Sequence, residues 1–286
     1  MTRIVYVNGL YKPYAQASVH CEDRGYQFGD AVYEVCEVRD GALIDERRHI
    51  DRLERSLREL SMQPVMPAEA LGRIMRETIR RNRVRDGLVY LQVSRGVAPR
   101  NFLFPPAGTP LTLVCLARSV ARADAERKAE SGIKVVTELD PRWNRCDIKT
   151  VMLLPASLAK ERARSKGAQE VWFVDAEGFV TEGGSSNAWI VTPDRALVTT
   201  PVTNAILRGV TRTTALEAAE AQGLRLEERR FTVAEAKSAH EAFITSATNI
   251  IMPVVAIDDT PVGNGAPGTV GRLLRQKFHD FAESSA

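Results

Sequence analysis

Lys149 is the residue from which the chemistry of this chain can be read. It nearly closes the run Trp143-Asn144-Arg145-Cys146-Asp147-Ile148-Lys149-Thr150, a polar stretch between an extended segment (133–139) and an apolar helical one (153–164). An amine set there can condense with an aldehyde cofactor as a Schiff base and, once displaced, serve as a base. Three other stretches could serve it. Arg208-Gly209-Val210-Thr211-Arg212-Thr213 opens a predicted helix. Unpaired N–H groups at a helix start attract anions, and glycine admits a ligand closely; a plain cap is the commoner use of such a threonine. Thr245-Ser246-Ala247-Thr248-Asn249 is a second small, hydroxyl-rich candidate after an apolar strand. Two such cradles and a cation would hold a phosphate monoester. Thr181-Glu182-Gly183-Gly184-Ser185-Ser186-Asn187 interrupts two strands. Its glutamate is either a solvated turn residue or a carboxylate facing a protonated pyridine nitrogen, which keeps such a ring an electron sink.

The elements that must position these residues follow from periodicity. Strands are predicted at 3–7 and 17–19, around a turn at Asn8-Gly9. The polar loop 22–30 leads into an alternating strand at 31–38, with Tyr33 and Val35 on one face and Val32, Glu34 and Cys36 on the other. Ile50, Leu53, Leu57 and Leu60 space a helix over 46–61, and a second spans 67–82. Strands at 87–96 and 111–116 complete an α/β first domain, 1–120. Residues 121–130 are polar, without clear periodicity, and are read as a linker. Over 131–286, strands near 132–138, 170–174, 179–182, 187–191, 196–199, 225–230, 241–246 and 252–258 alternate with helices near 155–166, 209–222, 232–238 and 269–283. That mixture suggests a larger, barrel-like α/β domain.

Composition excludes several classes. Charge is nearly balanced, 39 basic against 36 acidic residues and a net +3, so nucleic acid is not an expected partner. No apolar run is long enough to span a membrane, and no secretory leader is recognised; a cytoplasmic location is expected. Four scattered cysteines read as reduced, buried thiols, not as a metal or disulfide framework. The four histidines lack ligand spacing and read as surface or packing residues, so no metal is expected. Gly263-Asn264-Gly265-Ala266-Pro267-Gly268 fits the dinucleotide fingerprint in letters only; no βαβ unit surrounds it, and a connection into the last helix is the better reading.

Taken together, Asp23-Arg24-Gly25-Tyr26-Gln27-Phe28-Gly29-Asp30-Ala31-Val32-Tyr33-Glu34, Arg145-Cys146-Asp147-Ile148-Lys149 and Thr181 to Asn187 resemble the motifs of the class IV (fold type IV) pyridoxal-phosphate aminotransferases, in order and over nearly the whole chain. The likeness is greatest to the D-amino-acid branch. It implies a two-domain α/β (α+β) fold, a small N-terminal domain and a larger pseudo-barrel one, and a homodimer whose sites lie near the domain and subunit interface. The cofactor would be pyridoxal 5'-phosphate. By position, Lys149 would hold it, Glu182 would face the pyridine nitrogen, and Leu207 would pack on the ring. Arg52, Val210, Thr211, Ser246 and Ala247 would bind the phosphate, the last two with one residue of register open. Tyr33 and Arg100 match the substrate-carboxylate contacts. Phe102 stands where that branch has a histidine in an R-x-H motif reaching from the other subunit. The implied reaction moves an amino group between a D-amino acid of the D-alanine or D-glutamate type and a 2-oxo acid, by a ping-pong mechanism. Branched-chain or (R)-amine transamination and 4-amino-4-deoxychorismate lysis remain alternatives. A passive cofactor binder would need neither Lys149 nor Glu182.

Overall fold

The computed structural model describes residues 3–286; Met1 and Thr2 of the expected first strand pattern lie outside them. The chain divides into two compact units. The first comprises residues up to Arg122, the short segment Ile148–Met152 and the tail Glu283–Ala286.

The first unit begins with a hairpin, β1 (Ile4–Val7) and β2 (Leu10–Pro13), in which Val7 pairs with Leu10. Asn8 and Gly9 both have positive φ, the geometry a two-residue hairpin turn demands. Because the turn is that tight, 10–13 takes the partner position, and residues 17–19 form no strand, contrary to expectation. The loop before Ala31 contains an unexpected short helix, α1 (Arg24–Phe28). The Asp23 carboxylate accepts from Gly25 N–H at its start, and Gly29, at φ 69°, ends it. A side chain at Gly29 would meet Met152 Cγ at 2.8 Å. Then follow β3 (Ala31–Arg39), β4 (Ala42–Ile44), α2 (Glu46–Glu59), α3 (Ala68–Asn82), β5 (Gly87–Ser94) and β6 (Thr112–Ser119). Among the described residues these make a seven-stranded sheet in the order tail, β4, β3, β5, β6, β1, β2, the edge being Ser284–Ser285 paired with β4. Val32, Cys36 and Val38 of β3 face a core built with Leu53 and Leu57 of α2 and Leu71 and Met75 of α3. The alternation read from the sequence thus sets Tyr33 on the opposite face from Glu34.

Residues 122–131, across the change to the second unit at Arg122–Ala123, form a helix, α4 (Arg122–Ser131), where a linker was expected over 121–130. Only Ala129 of it is buried, which is why no apolar period marks it in the sequence. Next come β7 (Ile133–Leu139), α5 (Leu154–Ser165), β8 (Glu170–Val174), β9 (Val180–Gly183), β10 (Asn187–Val191), β11 (Leu197–Thr199), α6 (Val210–Ala221) and β12 (Leu226–Glu228). The unit closes with α7 (Val233–Lys237), β13 (Glu241–Ser246), β14 (Ile250–Ile257), β15 (Thr260–Pro261) and α8 (Thr269–Phe281). The nine-stranded mixed sheet runs β12, β11, β10, β13, β14, β7, β8, β9, with β15 on β14. Trp172, Ile190, Val198, Phe231 and Ile244 are central to its core. The glycine-rich connection has a structural purpose. The Glu241 carboxylate caps α8, accepting from the N–H groups of Val270 and Gly271 at 3.0 Å each. A Cβ at Gly268 would lie 1.9 Å from that carboxyl carbon.

Among the described residues no helix is long and apolar enough to cross a membrane. Cys36 and Cys115 are buried as expected, whereas Cys21 is exposed and Cys146 half-buried.

Candidate active site

Lys149 is fixed through its backbone. Ile148 before it is buried in the core of the first unit. Lys149 C=O accepts from Tyr33 N–H at 3.0 Å, and Val151 N–H reaches Ala31 C=O at 3.1 Å, so the segment runs beside the start of β3. On the other side Lys149 N–H approaches Ser56 Oγ of α2 at 3.5 Å. The side chain is less constrained. Its Nζ lies 4.4 Å from the centroid of the Tyr33 ring and makes no hydrogen bond or ion pair among the described residues. A half-buried lysine side chain without a carboxylate partner suits an amine reserved for reaction.

His49, Arg52 and Ser56 follow at helical spacing along α2 and face β3. The Arg52 guanidinium grips Glu34 with two hydrogen bonds, Nε to Oε1 at 2.8 Å and Nη2 to Oε2 at 2.7 Å. His49 Nδ1 adds a third contact at 2.7 Å. Burial alone would raise the Glu34 carboxyl, but the charge and hydrogen bonds of Arg52, with help from His49, hold it down at about 2. Burial also lowers His49 against the pull of Glu34. A neutral imidazole donating from Nδ1 to an ionised Glu34 satisfies both. The sequence reading missed Glu34 and took His49 for a surface or packing residue. It is buried, and it helps to orient Arg52.

Arg100 and Phe102 sit on an exposed loop. Arg100 Cζ lies 5.2 Å above the Phe28 ring, and Phe102 meets the same ring edge-on at 5.8 Å. Arg100 makes no hydrogen bond or ion pair among the described residues, and Phe102 is 83% exposed. The loop is itself anchored. Buried Arg24 donates to the carbonyls of Asn101 at 2.7 Å and Leu103 at 3.3 Å, and shares Asp30 with Arg95. Within this chain Tyr33 stacks on Tyr90 and faces Lys149, while Arg100 packs on Phe28.

The remaining candidates gather at one end of the second unit's sheet. Asn187 opens β10 and pairs with Thr245, one residue before Ser246. Its side-chain NH₂ donates to Glu182 Oε2 at 3.1 Å and to Leu207 C=O at 2.9 Å. Leu207 N–H returns to Glu182 Oε2 at 3.0 Å. Arg142 completes the grip on the buried Glu182 at 2.6 Å and forms an ion pair with Asp140. Burial opposes ionisation of Asp140, yet Arg142 holds its carboxyl below the usual range. The same surroundings push the Cys146 thiol up to about 12, chiefly through burial, so it stays protonated. Neither Asp140 nor Arg142 was singled out from the sequence; both stand just before the lysine run, where the Arg142 charge could have drawn notice.

Helix α6 starts behind Gly209 with no side-chain cap, and the Thr211 hydroxyl has no partner among the described residues. A Cβ at Gly209 would lie 2.2 Å from Asn187 Oδ1. Across from it the β13–β14 turn offers Ser246 Oγ, which accepts from Asn249 N–H and lies 3.2 Å from Thr248 Oγ1. An uncapped helix start and a hydroxyl-rich turn at one end of one sheet suit a phosphate. By their chemistry the donor sets fit pyridoxal phosphate: a free amine at Lys149 in the first unit, and an anion cradle and a buried carboxylate in the second.

Comparison with known proteins agrees in kind. Residues 31–257 match the profile of the family described as amino-transferase class IV. The chain is 38% identical to the D-alanine aminotransferase of Staphylococcus haemolyticus over 280 residues, 98% of each chain. It is 39% identical to that of Bacillus licheniformis, covering 95% and 94%. Among solved structures, the branched-chain amino acid aminotransferase of Escherichia coli superposes with a TM-score of 0.90 at 24% identity, over 98% of this chain and 94% of that one. A second branched-chain amino acid aminotransferase, from T.th. and solved with pyridoxamine 5'-phosphate, gives 0.91 at 23% identity over the same shares. At such identities these two speak for the fold alone.

Proposed function

The chain belongs to the class IV aminotransferases, and on that footing we propose that it transfers the amino group between a D-amino acid and a 2-oxo acid, working in the cytoplasm as a homodimer. The D-alanine aminotransferases that it resembles along nearly their full length support the substrate class. The observation that carries the chemistry is Lys149, locked by its backbone and left with an unpaired amine.

Bound pyridoxal phosphate supplies the electron sink into which the substrate Cα–H bond pair is drawn. Lys149 Nζ would hold the cofactor and, as a free amine, would serve as the base that takes the substrate Cα proton and passes it on to the cofactor. Glu182, held in place by Arg142, Asn187 and Leu207, keeps the ring nitrogen protonated. Val210, Thr211, Ser246 and Ala247 would hold the phosphate, joined by Arg52, whose orientation Glu34 fixes. Leu207 packs on the ring. Tyr33 and Arg100 take the substrate carboxylate, Arg100 being an unpaired cation on an exposed loop. That loop presents Phe102, Leu103 and Phe104 to solvent, an apolar cluster suited to a second subunit.

The purified protein should show a visible absorption band that Lys149→Ala abolishes; a band surviving that change would sink the assignment. D-alanine with 2-oxoglutarate is expected to bleach and restore the band, yielding pyruvate and D-glutamate. If only L-leucine or L-isoleucine bleaches it, the branched-chain reading wins. Phe102, an apolar ring at a polar family position, favours (R)-amines as a second reading, and 1-phenylethylamine tests it.

A further inference from the structure

The turn between β13 and β14 contains a backbone feature that the function so far leaves without a use. Ile250, the first residue of β14, has φ 59°. A β-branched residue enters that left-handed region only when its surroundings compel it. Glycine is the ordinary occupant of such a position in a short hairpin.

Arg275 of α8 is bonded to the backbone on both sides of this residue. Its Nη1 donates to Asn249 C=O at 2.7 Å and to Ile251 C=O at 2.8 Å, the carbonyls on either side of Ile250. Its Nε and Nη2 hold Glu126 of α4 at 3.1 and 3.0 Å. One edge of the guanidinium grips the turn while the other is fixed to a helix, a geometry that lysine cannot reproduce. The residues so held are those of the anion cradle. Asn249 N–H bonds Ser246 Oγ, whereas the N–H groups of Ala247 and Thr248 have no partner among the described residues.

We propose that Arg275 is a positioning residue for the cofactor phosphate: by holding Ile250 left-handed, it keeps the Ser246–Thr248 turn shaped to receive an anion. This rests on the assignment of that turn to the phosphate. Arg275 touches neither cofactor nor substrate; it acts through the backbone of the turn.

The test compares pyridoxal phosphate with pyridoxal, which lacks only the phosphate. Each is titrated into the full-length protein freed of cofactor and followed by visible absorption. Arg275→Met is expected to weaken pyridoxal phosphate about tenfold, as loss of charge-assisted bonds to the turn would, and to leave pyridoxal unchanged. Arg275→Lys, which keeps the charge beside Glu126, is expected to lose the same preference and covers the case in which the methionine variant does not fold. Adding Ile250→Gly should restore the affinity, since glycine holds the turn without a clamp. Equal loss for both ligands, no loss, or no rescue by glycine would overturn the proposal. The double variant Ser246→Ala, Thr248→Val separates it from its premise. If that variant leaves the preference intact, the turn is not the phosphate site and both ideas fall. If it lowers the preference and Arg275→Met does not, only the role of Arg275 falls.

Discussion

Glu34 shows how much one buried carboxylate can be asked to do. It receives Arg52 and His49 together, and removing its charge would strand a buried guanidinium. Glu34→Gln is therefore expected to cost about 3–5 kcal/mol, measurable by urea unfolding, since breaking one half of a buried pair leaves the other uncompensated. The pH dependence has a definite sign. Glu34 sits below its ordinary value of 4.5 in the fold, at about 2. Its contribution is complete above that ordinary value and is lost as pH falls from there toward about 2. His49 is also lowered from 6.5, so its neutral form is the one the fold favours, and stability begins to fall once pH drops below that value. The contribution of these two groups should hold level above neutrality and decline in two stages on acidification, the lower stage vanishing in Glu34→Gln. At the substrate end, Arg100→Ala should depress kcat/KM for D-alanine by roughly 100-fold while sparing 1-phenylethylamine, as loss of a carboxylate contact would. Equal losses would mean that Arg100 is not the carboxylate trap. Lys149 and Glu182 could be picked out of the sequence as candidates because each lies in a short local motif. Glu34, Arg142 and Arg275 could not, because their partners are set by folding: Arg142 meets Glu182 across 40 residues and Arg275 meets Ile251 across 24.

Helices and strands were read most securely where one face is apolar. α2, with Ile50, Leu53 and Leu57 turned to the core, and the alternating β3 both appear where periodicity puts them. α4 escaped because it buries little more than Ala129, and α1 because a five-residue helix between a cap and a left-handed glycine has no room for a period. Two helix starts carry expectations of their own. Gly209→Ala would drive a methyl into Asn187 Oδ1 and loosen the grip on Glu182. The expected result is a protein that folds but loses cofactor on dialysis, with its visible band fading faster than that of the parent. Glu241→Ala would strip α8 of the carboxylate that accepts from Val270 and Gly271. A cost of about 2–3 kcal/mol is expected from losing charge-assisted bonds at a buried cap, read as a lowered Tm.

Across the whole chain, the division into units does not follow the order of the sequence. The linker was expected at residues 121–130; the first unit runs to Arg122 and the second begins at Ala123, while Ile148–Met152 and Glu283–Ala286 return to the first. Nothing in their composition announces this, because what binds them is backbone pairing: Thr150 with Val32 and Ser284 with Ile44. The exposed Phe102, Leu103 and Phe104 belong to this scale too. Sedimentation should give a dimer, and Leu103→Asp should shift it toward monomer.

The tail contact carries a consequence for how the protein is made. Asp45, at the head of the helix bearing His49 and Arg52, accepts from Glu283 N–H, and its own N–H donates to Glu283 C=O. A ribosome releases β1 to β6 long before it releases residues 148–152, and those long before 283–286. The nascent sheet must therefore wait with an open edge beside β4 and with the place of Lys149 beside β3 still vacant. The amine can enter its place only when the second unit has begun to emerge, and the head of α2 is secured last of all. Translation thus leaves Lys149 unplaced in a half-made chain, and chaperone demand should fall on the interval between those two arrivals.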